Sequence, residues 1–173
     1  LSWRGEAFLN PQIIDMIRYA KQKGIKEVST LTHGGFLDAE KFEELVDIGL
    51  DWLTISFDGV DETYEQIRAP LKFEAMVKNI RKFSEIKKKK KAVKPVLKIQ
   101  GVWPAVAKNP EKFYSTFSPI VDQVASLPLV DYLRKDVDIE YIENFTCPVL
   151  YQRMTVDATG SVKLCYNVEM GSI

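Results

Sequence analysis

The sequence predicts an α/β protein, a partial barrel of parallel strands covered by helices, followed by a small β element near the C-terminus. Three observations predict it. Apolar strand-like runs alternate with helix-like stripes through short connections. The strand runs lack clean two-fold alternation, as strands buried within a parallel sheet do. Two of them end in small polar, glycine-containing turns, Thr32-His33-Gly34-Gly35 and Ser56-Phe57-Asp58-Gly59. Right-handed crossovers would curl such a series into a barrel or part of one.

Residues 1–3 read as the end of a strand, with Gly5 and Glu6 at its tip. Asn10-Pro11 predicts a helix start, because asparagine accepts from the open amides of the first turn and proline suits the first helical position. Ile13, Ile14, Ile17 and Ala20 recur at helical spacing as an inward stripe, and Gly24 ends that helix in a left-handed cap. A strand is predicted over 27–31. Asp38 caps a second helix with Phe42, Leu45, Val46 and Ile48 on its apolar face, and Gly49 stops it. The next strand covers 52–57. A short helix over 61–69, capped by Asp61, is separated by Pro70 from a longer one over 71–90 that buries Phe73, Met76, Val77, Ile80 and Phe83. A strand over 96–103 ends at Pro104, Asn109-Pro110 opens a helix reaching 120, and a strand covers 121–129. Residues 154–157 and 161–165 alternate around Ala158-Thr159-Gly160, which predicts a β-hairpin. The expected division is a barrel unit over 1–130, a polar linker over 131–146 and the β element over 147–173.

The totals bound the function. The chain has 173 residues, enough for a real core. Lys+Arg and Asp+Glu balance at 24 each, so no overall field favours nucleic acid or a membrane surface. No apolar run approaches the ~20 residues of a membrane span. Two cysteines make no disulfide framework, and a cytoplasmic protein is expected. Residues 87–91 are consecutive lysines. They read as a solvated helix end, where cations suit the helix dipole. A nucleic-acid patch would bring interleaved aromatics or a second basic stripe.

The informative stretch is WLTISFDGVDETYEQIR, residues 52–68. Ser56 and Asp58 fall where a strand meets a loop, and Arg68 lies two turns into the following helix. Polar side chains at the carboxyl end of a buried strand stand where α/β sheets and barrels bind ligands. An Asp-Gly turn is equally ordinary turn chemistry. Read alone, Arg68 pairs on the surface with Glu65 or Asp61. His33, the only histidine, is a turn residue that tolerates unusual dihedrals. Gln100 and Trp103 end a central strand and line either a ligand site or the core.

GEAFLN (residues 5–10), TLTHGGFLD (30–38) and ISFDG (55–59) resemble, in order, the GGEP-type, TNG-type and SxD motifs of the radical S-adenosylmethionine (SAM) superfamily. The resemblance spans nearly the whole chain and implies a partial (β/α)6-type radical SAM barrel. In that family SAM lies across the carboxyl ends of the strands and chelates an iron of a [4Fe–4S] cluster. The resemblance implies that Gly5 and Glu6 meet the methionine ammonium. Thr32 and His33 belong to the same cofactor-binding set. Ser56 and Asp58 would face the ribose hydroxyls, and Arg68 would grip the methionine carboxylate, a pairing that guanidinium makes bidentately. Gln100 would line the adenine or substrate side. This chain departs from the pattern at Arg4, in place of the first of two glycines, at Ala7, in place of proline, and at His33, in place of asparagine.

The tail, Cys147-x12-Gly160-x4-Cys165, resembles the opening of the SPASM domain of one branch of the family. There the cysteines ligate an auxiliary Fe–S cluster. Two ordinary thiols are the plain reading, and a zinc knuckle would need four ligands. Family members hold the catalytic cluster with a CxxxCxxC loop on the first strand. No such loop occurs in these residues. The sequence is therefore expected to be a piece of a longer enzyme, without the first βα unit or the rest of the SPASM domain, and inactive alone. The implied activity is reductive cleavage of SAM to a 5′-deoxyadenosyl radical. That radical takes hydrogen from a peptide, protein or sugar-type substrate, with electrons from a flavodoxin or ferredoxin. The alternative is a non-catalytic, partner-binding α/β module derived from the same fold. A barrel enzyme for phosphorylated sugars would carry Gly-rich phosphate loops late in the barrel, and none follows residue 121.

Overall fold

Four strands pair in chain order, each parallel to the next: β1 (Ser29–Thr32), β2 (Trp52–Ser56), β3 (Val96–Val102) and β4 (Gln123–Leu127). Parallel neighbours need crossovers, and helices supply them. α1 (Ile13–Gln22) precedes β1, and α2 (Ala39–Ile48) joins β1 to β2. α3 (Asp61–Ile67) and α4 (Phe73–Lys90) join β2 to β3, and α5 (Trp103–Val106) and α6 (Pro110–Phe117) join β3 to β4. This computed structural model describes residues 1–2, 5–129, 143–165 and 168–172. The expected α/β class with parallel strands is present, as four strands of one sheet. The expected linker falls largely on 130–142, outside the described residues. The chain divides into two units, Leu1–Val130 and Asp131–Ile173.

Register places the core of the first unit. Partners on adjacent parallel strands present side chains to one face, so Leu53 with Leu97 and Ile55 with Ile99 line the same side. They pack into one buried cluster with Ile17, Phe42, Leu45, Tyr64, Ile80, Phe83, Phe113 and Phe117 from the helices. The opposite face of β2 and β3 carries Trp52, Thr54, Ser56, Val96, Lys98 and Gln100, all half-buried and none in that cluster. This corrects the expectation that the strands do not alternate. Burial alternates residue by residue along β2 and β3, and apolar Trp52, Val96 and Val102 on the polar face hide it in the sequence.

Helix ends follow local chemistry, with two corrections. Gly24 and Gly49, both at φ +78°, close α1 and α2 as expected, with the Ile25 and Leu50 amides donating back to Ala20 and Leu45. Asp38 and Asn109 cap α2 and α6 through the Lys41 and Lys112 amides, at 2.9 and 3.1 Å. Asn10 instead accepts from the Gln12 amide at 2.9 Å, a turn that delays α1 to Ile13. The expected cap Asp61 is the first residue of α3, at φ +49°, and its carboxylate pairs with Lys112 at 2.6 Å. Trp103, 49% exposed, opens the unforeseen α5 and belongs to no core.

Two carboxylates tie the amino ends of the strands. Asp51, 3% exposed, accepts from the Val28 amide at 2.8 Å and pairs with Lys21 and Lys94. Asp122 accepts from the Leu97 amide at 2.6 Å and pairs with Lys87. Lys87 is buried, so the expected solvated lysine run is corrected at its first member. Its partner lies 35 residues on and is not legible locally.

Tyr64 stacks on Phe57 with ring centroids 3.9 Å apart, and its buried hydroxyl has no partner among the described residues. Burial pushes the phenol well above its ordinary pKa, with Arg68 opposing the shift. An unpaired buried polar group costs about 1 kcal/mol or more. Tyr64→Phe is therefore expected to raise stability by about 1 kcal/mol, and a lower melting temperature would count against the orphaned hydroxyl.

The second unit holds α7 (Val149–Gln152) and an antiparallel sheet of β5 (Thr155–Val156), β6 (Ser161–Cys165) and β7 (Val168–Ser172). The expected hairpin is β5–β6, and β7 was not foreseen. The Asp157 carboxylate closes the turn. The Thr159 hydroxyl and amide, then Lys163 and the Ser161 amide, hold its pKa at about 2. Among the described residues no helix is long and apolar enough to cross a membrane.

Candidate functional site

The expected ligand residues of the first unit gather at the carboxyl ends of β1, β2 and β3 in three groups. The first is built on Glu6, which starts a short 3-10 turn over Ala7–Leu9. Its Oε1 accepts from the Phe8 amide at 3.1 Å and the Thr32 hydroxyl at 2.5 Å, and its Oε2 accepts from the His33 amide at 2.7 Å. The Thr32 hydroxyl in turn accepts from the Gly34 amide at 2.9 Å. Thr32 is 1% exposed, so its hydroxyl is spent on holding Glu6 and the turn. His33 Nδ1 accepts from the Gly35 amide at 2.9 Å, leaving Nε2 as the ring's donor, 3.5 Å from Glu6 Oε2. The unusual dihedral expected at His33 sits at Gly34 instead, at φ +82°. Gly5 precedes Glu6 at φ +86°. Glu6 is thus an oriented acceptor with capacity left on Oε2.

The second group is Ser56 with Gln100. They are register partners, so both side chains occupy the half-buried polar face, one strand spacing apart. The third group is Asp58 with Arg68. Arg68 donates to Asp58 Oδ2 from Nε at 2.8 Å and pairs through Nη2 at 2.5 Å. Asp58 Oδ1 accepts from the Val102 amide at 2.8 Å, which fastens the tip of β2 to the end of β3. The surface pairings expected for Arg68 are corrected, because Glu65 holds Lys72 and Asp61 holds Lys112.

The remaining expected ligands lie in the second unit. Cys147 is a free, exposed thiol ahead of α7. Cys165 ends β6, and its side chain lies outside the described residues, as does Arg4. Among the described residues no three His, Cys, Asp or Glu side chains converge as a metal site. Two residues on the polar face went unnoticed in the sequence, Thr54 and Lys98, which are register partners. The signal for them was the polar position alternating with Leu and Ile in WLTIS and VLKIQ.

Comparison with known proteins bears on this set. The profile of the Radical SAM superfamily matches residues 4–98, more than half of the chain and nearly all of the residues in the three groups. Fe-coproporphyrin III synthase of Methanosarcina barkeri is 31% identical over 64 residues, 37% of this chain and 16% of its own length. Probable GTP 3′,8-cyclases from two strains of Methanococcus maripaludis are 36% and 37% identical over 84 residues, 47% of this chain and 28% of their own length. The chain thus spans less than a third of the curated relatives it matches. With its parallel sheet and a family match across most of the strand-end groups, the chain belongs to the radical SAM superfamily, whose members are enzymes that use SAM and a [4Fe–4S] cluster.

Proposed function

We propose that this chain works as part of a radical SAM enzyme of the SPASM-containing branch, acting on a peptide, protein, sugar-type or other small-molecule substrate. When bound, SAM and a [4Fe–4S] cluster would supply one-electron chemistry, hydrogen-atom abstraction from the substrate with methionine and 5′-deoxyadenosine as products. The donor set fits that cofactor. Glu6, oriented by Thr32 and His33, offers an acceptor carboxylate to the methionine ammonium, next to Gly5. Arg68 offers its guanidinium to the methionine carboxylate. Ser56 and Gln100 offer a hydroxyl and an amide to the ribose and adenine side, with Asp58 beside them. Thr54 and Lys98, deeper on the same face, would line the substrate space.

Residues 1–130 are the core in this reading, 131–146 the linker and 147–173 the opening of a SPASM-like element. Cys147 and Cys165 would there ligate an auxiliary cluster that relays electrons or holds substrate. A flavodoxin or ferredoxin in the cytoplasm would supply the reductant. The observation that carries the proposal is the placement of Glu6 at the end of β1, with Ser56 and the Asp58–Arg68 pair at the end of the adjacent β2, within a matched family region. The full-length protein, reconstituted anaerobically with iron and sulfide and given SAM and dithionite, is expected to form 5′-deoxyadenosine above a cluster-free control. No product despite bound iron and intact SAM would move the chain to the partner-binding alternative, with Arg4, Ala7 and His33 as marks of lost cofactor binding.

A further inference from the structure

We infer that Asp58 is a positioning residue, which presets Arg68 for the methionine carboxylate of the cofactor and does not itself contact the ribose. The inference rests on the reading of Arg68 given above. The Asp58 side chain is 6% exposed and its oxygens are engaged, Oδ1 by the Val102 amide and Oδ2 by two nitrogens of Arg68. Three of its roughly four acceptor sites are thus filled, and with 6% of the side chain exposed the one left on Oδ1 is scarcely offered to a ribose hydroxyl. Ser56, half-buried on the polar face beside Gln100, has a hydroxyl with no hydrogen bond among the described residues, and that hydroxyl suits a sugar.

The arginine is held side-on. A guanidinium has five N–H donors. Asp58 takes the one on Nε and one on Nη2. The second N–H of Nη2 and both of Nη1 remain, and they include the parallel pair that a carboxylate grips end-on. The Arg68 side chain is 29% exposed against 6% for Asp58, so the pair is anchored on its inner side and open on its outer side. Arg68 stands at the C-cap of α3, at φ −108°, where helical geometry no longer fixes its backbone. Asp58 therefore fixes a long side chain that would otherwise lose much rotamer freedom on binding. Asp58 also offsets part of the arginine's charge, which works against carboxylate binding. Orientation must outweigh that loss, and the sign of the mutational effect reports which one does.

The experiment compares two ligands on the full-length, cluster-reconstituted enzyme by calorimetric titration. S-adenosylhomocysteine carries both the ribose and the amino-acid carboxylate. 5′-Methylthioadenosine keeps the nucleoside and lacks the carboxylate. Asp58→Asn keeps an acceptor for the Val102 amide but turns an NH2 group toward Arg68. It is expected to weaken S-adenosylhomocysteine about 10-fold, the worth of a charge-assisted hydrogen bond. Binding of 5′-methylthioadenosine should stay unchanged, which also reports a folded site. Arg68→Ala should show the same selectivity, and the double variant should bind S-adenosylhomocysteine no more weakly than Arg68→Ala. Arg68→Lys keeps the charge but cannot hold Asp58 side-on and a carboxylate end-on together, so it should behave like Asp58→Asn. Equal weakening of both ligands by Asp58→Asn, with Arg68→Lys neutral, would overturn the inference in favour of a ribose contact. Multiplying losses in the double variant, or a neutral or tighter-binding Asp58→Asn, would overturn it as well. An Arg68→Ala variant that binds both ligands normally would instead overturn the reading of Arg68.

Discussion

Replacing Asp51 by asparagine should lower the stability of the chain by about 3 kcal/mol near neutral pH. Asp51 lies just before β2, and its Oδ2 accepts from Lys21 at 2.6 Å and from the Val28 amide at 2.8 Å, while Oδ1 pairs with Lys94. Its own backbone continues the tie, the amide donating to Val28 and the carbonyl accepting from Val96. One buried carboxylate therefore fastens α1, β1 and β3 at the amino ends of the strands. Asparagine keeps the shape, but it turns an NH2 group toward one donor and leaves two ammonium groups without a counter-charge. Lys21 and Lys94 are 22% and 56% exposed, so they regain part of their hydration. That keeps the loss at the low end for breaking a buried pair. Burial by itself would raise the Asp51 pKa. The bonds from Lys21, Lys94 and the Val28 amide more than offset it and hold the carboxyl well below the ordinary range. A depressed folded pKa gives stability that is present above the unfolded value of about 3.9 and lost as pH falls toward the folded value. Urea unfolding should thus show a constant gap between wild type and Asp51→Asn from about pH 7 to about pH 5, narrowing below about pH 4. A gap that persists unchanged into acid would show that the charge of Asp51 is not what stabilises.

Asp51 also marks where the sequence stops being readable. Its role depends on Lys21 and Lys94, 30 and 43 residues away, and no local pattern announces such a hub. The buried stripe of α4 was legible because Phe73, Met76, Val77, Ile80 and Phe83 repeat at the helical period. The ends of α1 and α2 were legible because glycine is the residue that adopts the left-handed cap without strain. Asp61 misled because a cap is inferred from residue type. Its backbone, just after Gly59 at φ +84°, takes φ +49° and turns the carboxylate to Lys112. Glu6, Ser56 and Arg68 were legible only through motif order, since an isolated carboxylate, serine or arginine near a turn has many ordinary uses. The partner of Arg68 was not legible. Glu65 and Asp61 share its helix, but Glu65 is held by Lys72 and the Phe73 amide, and Asp61 by Lys112. That leaves Asp58, ten residues back at the tip of β2.

Gly101→Ala should cost about 3 kcal/mol and weaken cofactor binding together with it. The reason is close approach, since a Cβ at this position would lie 2.4 Å from the Phe57 carbonyl oxygen and 2.8 Å from Val106 Cγ2. A backbone oxygen cannot rotate away as a side chain would. Phe57 cannot yield either. It is fully buried, its amide donates to the Gln100 carbonyl at 2.8 Å, and its ring lies against Tyr64 and Phe117 at centroid distances of 3.9 and 4.6 Å. The added methyl must therefore lift the tip of β2 from the end of β3. The bond that spans that junction runs from the Val102 amide to Asp58, and Asp58 holds Arg68. Amide exchange reads this chain of contacts directly. In wild type the Val102 N–H should be protected to the level of the core strands. In Gly101→Ala it should exchange at least tenfold faster than the Leu97 and Ile99 amides are accelerated, because the damage is local to the tip. S-adenosylhomocysteine affinity of the full-length enzyme should fall in the same variant. Unchanged Val102 protection would mean that the strand end absorbs the methyl elsewhere. The close approach at Gly101 would then have no part in holding Asp58 and Arg68 in place.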